Sequence, residues 1–404
     1  MADAAARTDG GADDGARGAA GGRPLRVLAV DERLHEDGAA RLALRLLQLW
    51  TAAGADAPLF LLKPPGGSRP GPPVPDGVRL LHRRARTTGG RARVPGLRKA
   101  ETLLQLWRAV RGADVVLAAR EIDQGLVLGR LVALVARRPF VVLVQSDPHM
   151  AMAHHVRPRS RPLVRWCLRT ATHLVCVSPG LLAPLASLGV PAGRTTAVSN
   201  GVDVEAVLRA GAGTPPELPA GDGPLVLGLG RLVHQKGFDL LVRAHARVVS
   251  AGVPHRLLVL GDGAERERLL ALADELGVTG SVSLPGFTAD PLPTLAAADL
   301  YCLPSRWEGQ PLTLAEAMVL GTPAVAADCV SGPREMLADG TRGDLVPVED
   351  VDALAAAVRR HLEDPSRLRA AATEGRAWAR EHLDDRRFAA GVMDVLVGQA
   401  RRRG

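Results

Sequence analysis

The stretch 299-DLYCLPSRWEGQPLTLAEAMVLGTPAVAAD-328 decides the predicted fold of this 404-residue chain. It opens with an apolar run that ends at Ser305, passes through a loop containing Pro311, and continues as a helical pattern from Leu312. A second apolar run follows at 323-PAVAAD-328. Short apolar runs without alternation are typical of buried parallel strands. The stretch therefore predicts a strand–helix–strand unit of a parallel sheet.

The same alternation of strands and helices runs through both halves of the chain. Predicted strands of the first half are 25-LRVLAV-30, 57-APLFLL-62, 114-DVVLAA-119, 140-FVVLVQ-145 and 172-THLVCVS-178. The second half adds 224-PLVLGLG-230, 256-RLLVLG-261 and 281-SVSLPG-286, with helical patterns at 237–250, 264–276, 311–320 and 350–362. This alternation predicts an α/β protein with a doubly wound parallel sheet in each half.

A Gly-, Pro- and Ala-rich segment between the halves sets the predicted domain boundaries. Residues 1–23 have no apolar core and are predicted to be a disordered tail. The first domain is predicted at 24–203, the linker at 204–223 and the second domain at 224–385. The last segment, 386–404, is predicted to be a helix that crosses back to the first domain.

The composition favours a globular protein in a reducing compartment. Aromatic residues make up only 3% of the chain, so the cores are predicted to consist of Leu, Val and Ala. Four cysteines without metal-binding spacing are interpreted as buried thiols. They are Cys167, Cys176, Cys302 and Cys329. No segment predicts a signal peptide or a membrane-spanning helix, so we expect a cytoplasmic location.

The net charge of +8 is concentrated in two basic clusters of the first half. One lies between His82 and Lys99 and contains no acid. The other has Arg157, Arg159, Arg161 and Arg165 interleaved with Pro158, Pro162, Leu163 and Trp166. Neither has aromatic residues spaced for base stacking, so no nucleic-acid partner is expected. Two interpretations stay open: contact with a charged acceptor or with an anionic membrane at its inner face, or plain solvent-exposed basic loops.

Polar side chains follow the strands of the second half, where open parallel sheets bind ligands. Arg231 and Lys236 lie in 228-GLGRLVHQKG-237, and two cations at that position can hold a pyrophosphate. Glu308 and Glu316 flank a predicted helix start, whose free N–H groups suit an anion. A carboxylate can accept hydrogen bonds from two vicinal hydroxyls, as sugar recognition requires.

Two further patterns are weaker. The tripeptide 261-GDG-263 is interpreted as a turn before a helix. The acidic tripeptide 350-DVD-352 is explained better by N-capping of a helix than by a metal site. Without a His/Cys cluster of zinc spacing or a phosphate-binding GxxxxGK[ST] loop, we expect no bound metal.

Taken together, these residues resemble glycosyltransferase family 4, a group of retaining enzymes with the GT-B fold. The resemblance covers most of the chain from Leu25 and is densest from Val198 to Val348. The motifs that carry it are SNGVD at 199–203, GxGRLxxxKG at 228–237, GDGxE at 261–265, PS–EG–P–EAM–G-P between 304 and 323, SGPREML at 331–337 and GDLVPVED at 343–350. It implies two Rossmann-like domains that face a central cleft, and sugar transfer from a nucleotide sugar without a metal or other cofactor.

The resemblance also implies roles for the matching residues. Arg231 and Lys236 would bind the donor phosphates, Glu308 would contact the donor sugar, and Glu316 would hold the ribose. The implied catalytic residues are Glu308, Arg231 and Lys236. The other implied donor-binding positions are Gly38, Gly230, Gly286, Phe287, Gly309, Gln310, Pro311, Leu312 and Thr313.

The sequence departs from the family pattern at two places in the first half. The usual paired glycine of a donor-facing loop is reduced to Gly38, which Ala39 follows. Gln145 stands where family members often have a histidine that contacts the donor sugar. Asp147 or His149 could take over on the acceptor side.

The sequence thus predicts a retaining glycosyltransferase that moves a hexose-type sugar from a UDP- or GDP-sugar to a glycan, lipid-linked or small-molecule acceptor, as in polysaccharide biosynthesis. An epimerase or a phosphorylase of the same fold would need carboxylates placed for water attack or a pyridoxal-binding lysine, and neither is visible. A non-catalytic or hydrolytic protein that binds sugar nucleotides is the remaining alternative, which Gln145 favours.

Overall fold

The structure is a computed structural model that describes residues 23–34, 37–63, 72–81, 95–216 and 223–402, with the backbone alone for 95–99. The chain divides into two compact units. The N-terminal unit comprises Met1–Val177, Leu182–Val198 and Phe388–Gly404, and the C-terminal unit comprises Ser178–Leu181 and Ser199–Arg387. The predicted disordered tail apart from Arg23, and the side chains of the basic cluster between His82 and Lys99, lie outside the described residues.

The N-terminal unit is built on a parallel sheet of seven strands in the order β3-β2-β1-β4-β5-β6-β7. Its strands are β1 (Val27–Asp31), β2 (Leu59–Leu61), β3 (Leu80–Leu81), β4 (Val115–Ala118), β5 (Phe140–Val144), β6 (His173–Cys176) and β7 (Thr195–Ala197). Its helices are α1 (Gly38–Ala52), α2 (Pro95–Gly112), α3 (Gln124–Val135), α4 (Pro148–His155), α5 (Arg161–Thr170) and α6 (Leu182–Ser187).

The C-terminal unit has a parallel sheet of six strands in the order β10-β9-β8-β11-β12-β13. Its strands are β8 (Leu225–Leu229), β9 (Arg256–Leu260), β10 (Val282–Gly286), β11 (Leu300–Leu303), β12 (Ala324–Ala327) and β13 (Asp344–Val346). Its helices are α7 (Val204–Gly211), α8 (Phe238–Ser250), α9 (Arg266–Glu275), α10 (Leu292–Ala297), α11 (Leu312–Leu320), α12 (Pro333–Met336), α13 (Val351–Glu363) and α14 (Ser366–His382).

Both sheets are buried on both faces, which explains the uninterrupted apolar runs in the sequence. In β8, Val226 packs into one hydrophobic cluster, while Leu225 and Leu227 pack into another on the opposite face. In β11, Cys302 and Tyr301 divide between the same two clusters. Helices therefore cover both faces, and the predicted α/β fold with two doubly wound parallel sheets is confirmed.

The chain ends in a last helix, α15 (Asp385–Arg401), whose residues from Phe388 belong to the N-terminal unit. Within that unit, the indole Nε1 of Trp50 donates a 2.9 Å hydrogen bond to the carbonyl oxygen of Ala389. Phe388 and Val392 are buried, and Trp378 is half-buried.

Two further predictions can be compared with the structure directly. All four cysteines are buried with free thiols. Asp350 caps α13 by accepting a 2.8 Å hydrogen bond from the amide of Ala353, as the N-cap interpretation of 350–352 required. In the described part of the chain, no helix combines the length and the apolar character needed to cross a bilayer.

Candidate functional site

The C-terminal sheet reverses its order between β8 and β11, which lie side by side although three helices and two strands separate them in the chain. The next strand along the chain from β8 is added on one side, and the strand that follows β11 is added on the other. Loops that leave such a pair of strands diverge and open a crevice at the carboxyl edge of the sheet. Both sets of predicted donor-binding residues lie in these loops.

The loop after β8 carries the two predicted phosphate-binding cations. Gly230 has a φ of 155°, and Arg231 after it is exposed. A single 3₁₀ turn then brings Lys236 to Gly237, whose φ is 65°. A Cβ at Gly237 would overlap the carbonyl oxygen of Pro304, so only glycine permits this approach of the β8 loop to the β11 loop.

Lys236 and Glu308 form an ion pair at the centre of the crevice. The Lys236 ammonium lies 2.6 Å from Oε1 of Glu308, and the same oxygen accepts a 2.6 Å hydrogen bond from the Ser305 hydroxyl. The two charged side chains are only 14% and 7% exposed. A buried carboxylate needs such a partner, because moving an unpaired charge out of water costs several kcal/mol. The pair fixes one cation and one carboxylate at the strand ends.

Helix α11 begins directly beyond this pair and presents free backbone amides. Its first residue is Leu312, and Pro311 before it supplies no side-chain cap. The amides of Leu312 and Thr313 therefore stay available to an anion, whereas the amide of Leu314 donates to the carbonyl oxygen of Pro311. Within the loop before α11, Gly309 lies so close to Gly332 that a Cβ on Gly332 would overlap the Gly309 carbonyl oxygen.

The side chain of Gln310 is bonded to the backbone of Asn200 and is therefore not available to a ligand. Its Oε1 accepts a 2.6 Å hydrogen bond from the amide of Asn200, and its Nε2 donates a 3.1 Å hydrogen bond to the Asn200 carbonyl. Gln310 is 9% exposed and Asn200 is 4% exposed. Gln310 thus fastens the loop to the SNGVD motif, and what it can offer to a ligand is its backbone amide.

Two predicted residues of α11 lie near the buried Tyr301. The Tyr301 hydroxyl donates a 2.7 Å hydrogen bond to Oγ1 of Thr313. Burial raises the pKa of Tyr301 well above its usual value, and the nearby charges of Glu308 and Glu316 add to this effect. Glu316 is half-buried one turn into the helix. Both predicted carboxylates therefore lie near Tyr301, with Glu308 before the start of α11 and Glu316 after it.

The remaining predicted donor positions of this unit lie at the end of β10, the edge strand on the far side of β9 from β8. Gly286 ends β10 with a φ of 105°, and its carbonyl accepts a 2.9 Å hydrogen bond from the amide of Gly261. Phe287 follows with 56% of its surface exposed. A large exposed ring at the carboxyl edge offers a flat apolar surface, which suits stacking of a nucleobase.

The structure adds three polar side chains that the sequence reading did not identify. Arg306 donates to both carboxylate oxygens of Asp239, at 2.9 and 2.8 Å, and so binds the β11 loop to α8. Ser331 donates to the carbonyls of Glu308 and Gly309. Ser305 holds Glu308, as described above. Each lies inside or next to a quoted motif. Arg306 and Ser331 contact partners that are distant in the chain, so the sequence alone offered no signal for those contacts, whereas Ser305 contacts Glu308 three residues away.

The predicted residues of the first half lie at the carboxyl edge of the N-terminal sheet. Gly38 is the first residue of α1, after β1. Gln145 follows β5, and its Nε2 donates a 2.8 Å hydrogen bond to the carbonyl of Ala119. The buried Asp147 caps α4, and His149 is exposed with its Nε2 2.7 Å from the Ser187 hydroxyl. The side chains of Gln145 and Asp147 are thus engaged within their own unit.

A buried charge cluster also lies at this edge, between β1 and β4. Arg120 contacts Asp31 at 3.2 Å and Asp37 at 2.8 Å. Burial alone lowers the pKa of Arg120, but the two carboxylates outweigh it and raise this pKa above its usual value. Asp123 caps α3 by accepting a 2.8 Å hydrogen bond from the amide of Leu126. Burial, and then the charge of Asp31, raise the pKa of Asp123.

Among the described residues, no three His, Cys, Asp or Glu side chains are grouped as a metal ion would require. The arrangement in the C-terminal unit has two cations, a helix amino terminus and two carboxylates. Cations and amides can hold phosphates, and carboxylates can accept hydrogen bonds from sugar hydroxyls. The residue roles within this site remain predictions.

Comparisons with known proteins agree with this chemistry. A family model described as "Glycosyl transferases group 1" matches residues 215–378, and one described as "Glycosyltransferase Family 4" matches residues 37–206. The chain is 31% identical to the 2-deoxystreptamine glucosyltransferase of Streptomyces kanamyceticus over 323 residues, which are 71% of this chain and 82% of that protein.

A second relative and a solved structure extend the comparison. The lipopolysaccharide core biosynthesis glycosyltransferase LpsE of Rhizobium meliloti is 35% identical over 201 residues, or 49% of this chain and 56% of LpsE. The match thus spans little more than half of LpsE. The crystal structure of Anabaena Alr3699/HepE in complex with UDP superposes with a TM-score of 0.71 at 18% identity, over 94% of this chain and 100% of that one. This likeness identifies the fold as GT-B.

Proposed function

The chain belongs to the family 4 glycosyltransferases, and from that premise we propose that it transfers a hexose from a UDP- or GDP-sugar with retention of the anomeric configuration. The pair of Lys236 and Glu308 beside the uncapped start of α11 is the observation that carries the proposal. It offers positive charge for a diphosphate and a carboxylate for sugar hydroxyls at one strand end.

The donor diphosphate would lie between the amino terminus of α11 and the cations of the β8 loop. Lys236 and the exposed Arg231 would stabilise the charge that develops on the leaving diphosphate, a role for which preorganised cations suffice without a metal. Glu308 would contact the sugar, and Glu316 would accept hydrogen bonds from the ribose hydroxyls. The exposed ring of Phe287 would lie against the base. HepE, which has the same fold, binds UDP, which supports a nucleoside diphosphate as the leaving group.

Retention is proposed because this chain shares the family's site residues. The leaving phosphate itself would help to deprotonate the acceptor hydroxyl, so that no side-chain base is required. Proton transfer needs groups within about 3 Å of each other, and a departing diphosphate on the same sugar face meets that condition.

The acceptor is proposed to be a glycan, a lipid-linked glycan or a glycosylated small molecule, bound through the N-terminal unit. The named relatives act in lipopolysaccharide core biosynthesis and on 2-deoxystreptamine, so both classes have precedent among similar chains. The proposed division is an acceptor-binding domain at 24–203, a linker at 204–223, a donor-binding domain at 224–385 and a returning helix at 386–404.

Slow donor hydrolysis is the direct test, because a bound sugar donor reacts with water when no acceptor is present. The protein would be incubated with UDP- and GDP-sugars, and release of the diphosphate and the free sugar would be followed over time. We expect one donor to be hydrolysed, with the α-anomer formed first in the proton NMR spectrum. Glu316→Ala should abolish hydrolysis while the thermal unfolding midpoint stays close to that of the wild type.

The control is Glu381→Ala, which removes a largely exposed carboxylate of the C-terminal unit. It should leave hydrolysis unchanged. Absence of both hydrolysis and binding for every nucleotide sugar would refute the proposed donor class. Initial release of the β-anomer would refute retention.

A further inference from the structure

Large apolar side chains are exposed on one surface of the N-terminal unit. Seven of the ten exposed large hydrophobic side chains in the described part of the chain lie on α2, α3 and α5. They are Leu103, Leu104, Leu131, Leu134, Val135, Leu163 and Trp166. We call this surface the α2–α3–α5 face. Scattered apolar residues on a surface are ordinary, whereas a concentration on adjacent helices indicates a binding surface.

The three helices are neighbours in space. Helix α3 contacts both α2 and α5. Each of the three helices lies in a crossover connection between parallel strands: α2 connects β3 to β4, α3 connects β4 to β5, and α5 lies between β5 and β6. All three connections run in the same direction along the strand order of the sheet. Right-handed crossovers in one direction put their helices on the same face of the sheet. The apolar side chains therefore belong to one continuous helical layer.

The same layer is rich in arginine and almost without acids. Helices α3 and α5 contain no Asp or Glu, and α2 contains only Glu101. From Pro148 to Val202 the sequence has six arginines and no acid. The ion pairs of the N-terminal unit among the described residues use Arg23, Arg26, Lys63, Arg79 and Arg120, and none uses an arginine of the three helices.

Contacts between the helices use neutral partners, so they do not cancel this charge. Arg138 donates a 2.7 Å hydrogen bond to the carbonyl oxygen of Arg111 at the end of α2. Arg130 donates to the hydroxyl of Thr170 at 3.1 Å, and its guanidinium lies 5.7 Å from the ring centre of Trp166. The face therefore keeps a net positive charge at neutral pH.

A groove of about 790 Å³ borders the face along α5. Arg161, Arg165, Arg169 and Trp166 are among its lining residues. Arg161 donates to two backbone carbonyls at the end of α4, whereas Arg165 and Arg169 are exposed. Guanidinium groups beside an exposed tryptophan match the boundary of a bilayer, where the indole occupies the headgroup level and arginines bind phosphates.

We propose that the α2–α3–α5 face docks on an anionic lipid bilayer. The apolar side chains enter the interface, and the arginines bind the lipid phosphates around them. A second copy of the chain fits this face less well, because an isologous interface would place arginines opposite arginines. The proposal does not depend on the donor or the acceptor proposed above, since docking needs no nucleotide sugar.

Vesicle co-sedimentation of the full chain tests the proposal. The protein would be mixed with vesicles of phosphatidylcholine alone, and with vesicles of phosphatidylcholine and phosphatidylglycerol in equal parts. We expect binding to the anionic vesicles only, and weaker binding as salt is raised, because salt screens the attraction. Arg165→Gln with Arg169→Gln should lower the partition coefficient roughly 30-fold, as expected for two cations near an anionic surface.

A second double variant tests the apolar contribution. Leu134→Ser with Val135→Ser should lower binding roughly tenfold or more, because two side chains no longer enter the interface. Both positions are exposed, so the fold should persist, which circular dichroism and thermal unfolding would verify. The charge-matched control is Arg247→Gln with Arg359→Gln, in two exposed ion pairs of the C-terminal unit, and it should leave binding within about twofold.

Three outcomes would overturn the proposal. The first is equal binding of the wild type to both kinds of vesicle, or to neither. The second is wild-type binding by either double variant of the face. The third is a dimer, seen by light scattering, that Leu134→Ser with Val135→Ser dissociates, since the face would then cover a second copy of the chain.

Discussion

The two sheets reverse their strand order at equivalent points, yet their carboxyl edges carry opposite kinds of charge cluster. Between β8 and β11, the C-terminal unit has an exposed Arg231 and one ion pair of Lys236 with Glu308. Between β1 and β4, the N-terminal unit has a single cation, Arg120, enclosed by carboxylates. Glu308 is buried and Glu316 is half-buried, so the exposed charge among the site residues of the C-terminal unit is that of Arg231, and we call this the cationic edge. The edge of the N-terminal unit is predominantly acidic.

The difference lies in what the charges are available to do. In the C-terminal unit, Arg231 is exposed and the first turn of α11 lacks a side-chain cap, so a cation and backbone amides are available to an anion. In the N-terminal unit, Arg120 contacts two carboxylates, and Asp123 caps α3. We infer that the cationic edge is arranged for ligand binding, whereas most charges of the acidic edge stabilise the fold. Three changes test this contrast.

Lys236→Ala should have the largest effect. Transfer or donor hydrolysis should fall about a hundredfold to a thousandfold, the range for removing a preorganised group that stabilises developing charge. Stability should fall as well, because Glu308 is 6% exposed and would lose its cation. Steady-state kinetics and urea unfolding would be measured together, so that activity is compared at equal folded fraction.

Arg247→Ala is the matched control, because it breaks an exposed ion pair of the same unit in which both side chains are at least half exposed. It should change neither activity nor stability measurably. If Lys236→Ala kept activity within about tenfold of the wild type, Lys236 would not stabilise the leaving group. The ion pair with Glu308 would then be structural, and the contrast between the two edges would disappear.

Arg120→Met should act on stability. The substitution leaves Asp31, which is 1% exposed, without its cation and brings two carboxylates together. We expect a loss of about 3 kcal/mol in the free energy of unfolding, as for other buried ion pairs from which one partner is removed. The affinity of the folded protein for UDP, measured by titration calorimetry, should be unchanged.

Arg120→Met combined with Asp31→Asn should recover part of that loss, because one of the two facing carboxylates is removed. If Arg120→Met kept wild-type stability but lost transfer, the result would contradict this inference. Arg120 would then bind substrate, and the acidic edge would be a ligand site like the cationic one.

The fold was largely readable from the sequence, because buried parallel strands leave an uninterrupted apolar signal. The helix predicted at 237–250 is observed at Phe238–Ser250, and the one predicted at 311–320 at Leu312–Leu320. Strand β3, with two half-buried residues, has no such signal and was missed. A helix of eight residues, α7, occupies the start of the range interpreted as a linker, ahead of its Gly- and Pro-rich part.

Side-chain partners were far less predictable. Strand ends located Lys236 and Glu308 at one edge, because the carboxyl ends of parallel strands lie at the same edge of a sheet. Nothing in the sequence indicated that Gln310 turns towards Asn200, 110 residues away, or that Gln145 bonds the carbonyl of Ala119. Such contacts depend on how the loops pack in three dimensions, and a glutamine is compatible with many partners.

The smallest expected effect is a difference in how the two units respond to acid. In the C-terminal unit, the buried His245 has its Nδ1 2.8 Å from Nε2 of His255 and its Nε2 2.8 Å from the Ser281 hydroxyl. Burial lowers the pKa of His245 to about 3, and the neighbouring His255 adds to the shift. In the N-terminal unit, burial and the charge of Asp31 raise the pKa of Asp123.

These two pKa shifts make the stability of the protein change with pH in opposite directions. The unfolded chain protonates His245 below pH 6.5 while the folded chain does not, so this stabilisation is lost as the pH falls from 6.5 towards 3. For Asp123 the folded state holds its proton more tightly than the unfolded state, so this stabilisation is present at low pH and is lost as the pH rises through the folded pKa. Acid should thus weaken the C-terminal unit and favour the N-terminal unit.

Thermal unfolding between pH 7.5 and pH 5.5 would measure this difference. His245 should cost roughly 1.4 kcal/mol for each pH unit below 6.5, and His245→Gln should remove that slope although it lowers stability at pH 7.5. Asp123→Asn keeps a residue that can cap α3 and should flatten the opposite slope. Parallel pH profiles for the wild type and both variants would mean that neither buried group titrates differently in the folded chain, and that the two units do not differ in their response to acid.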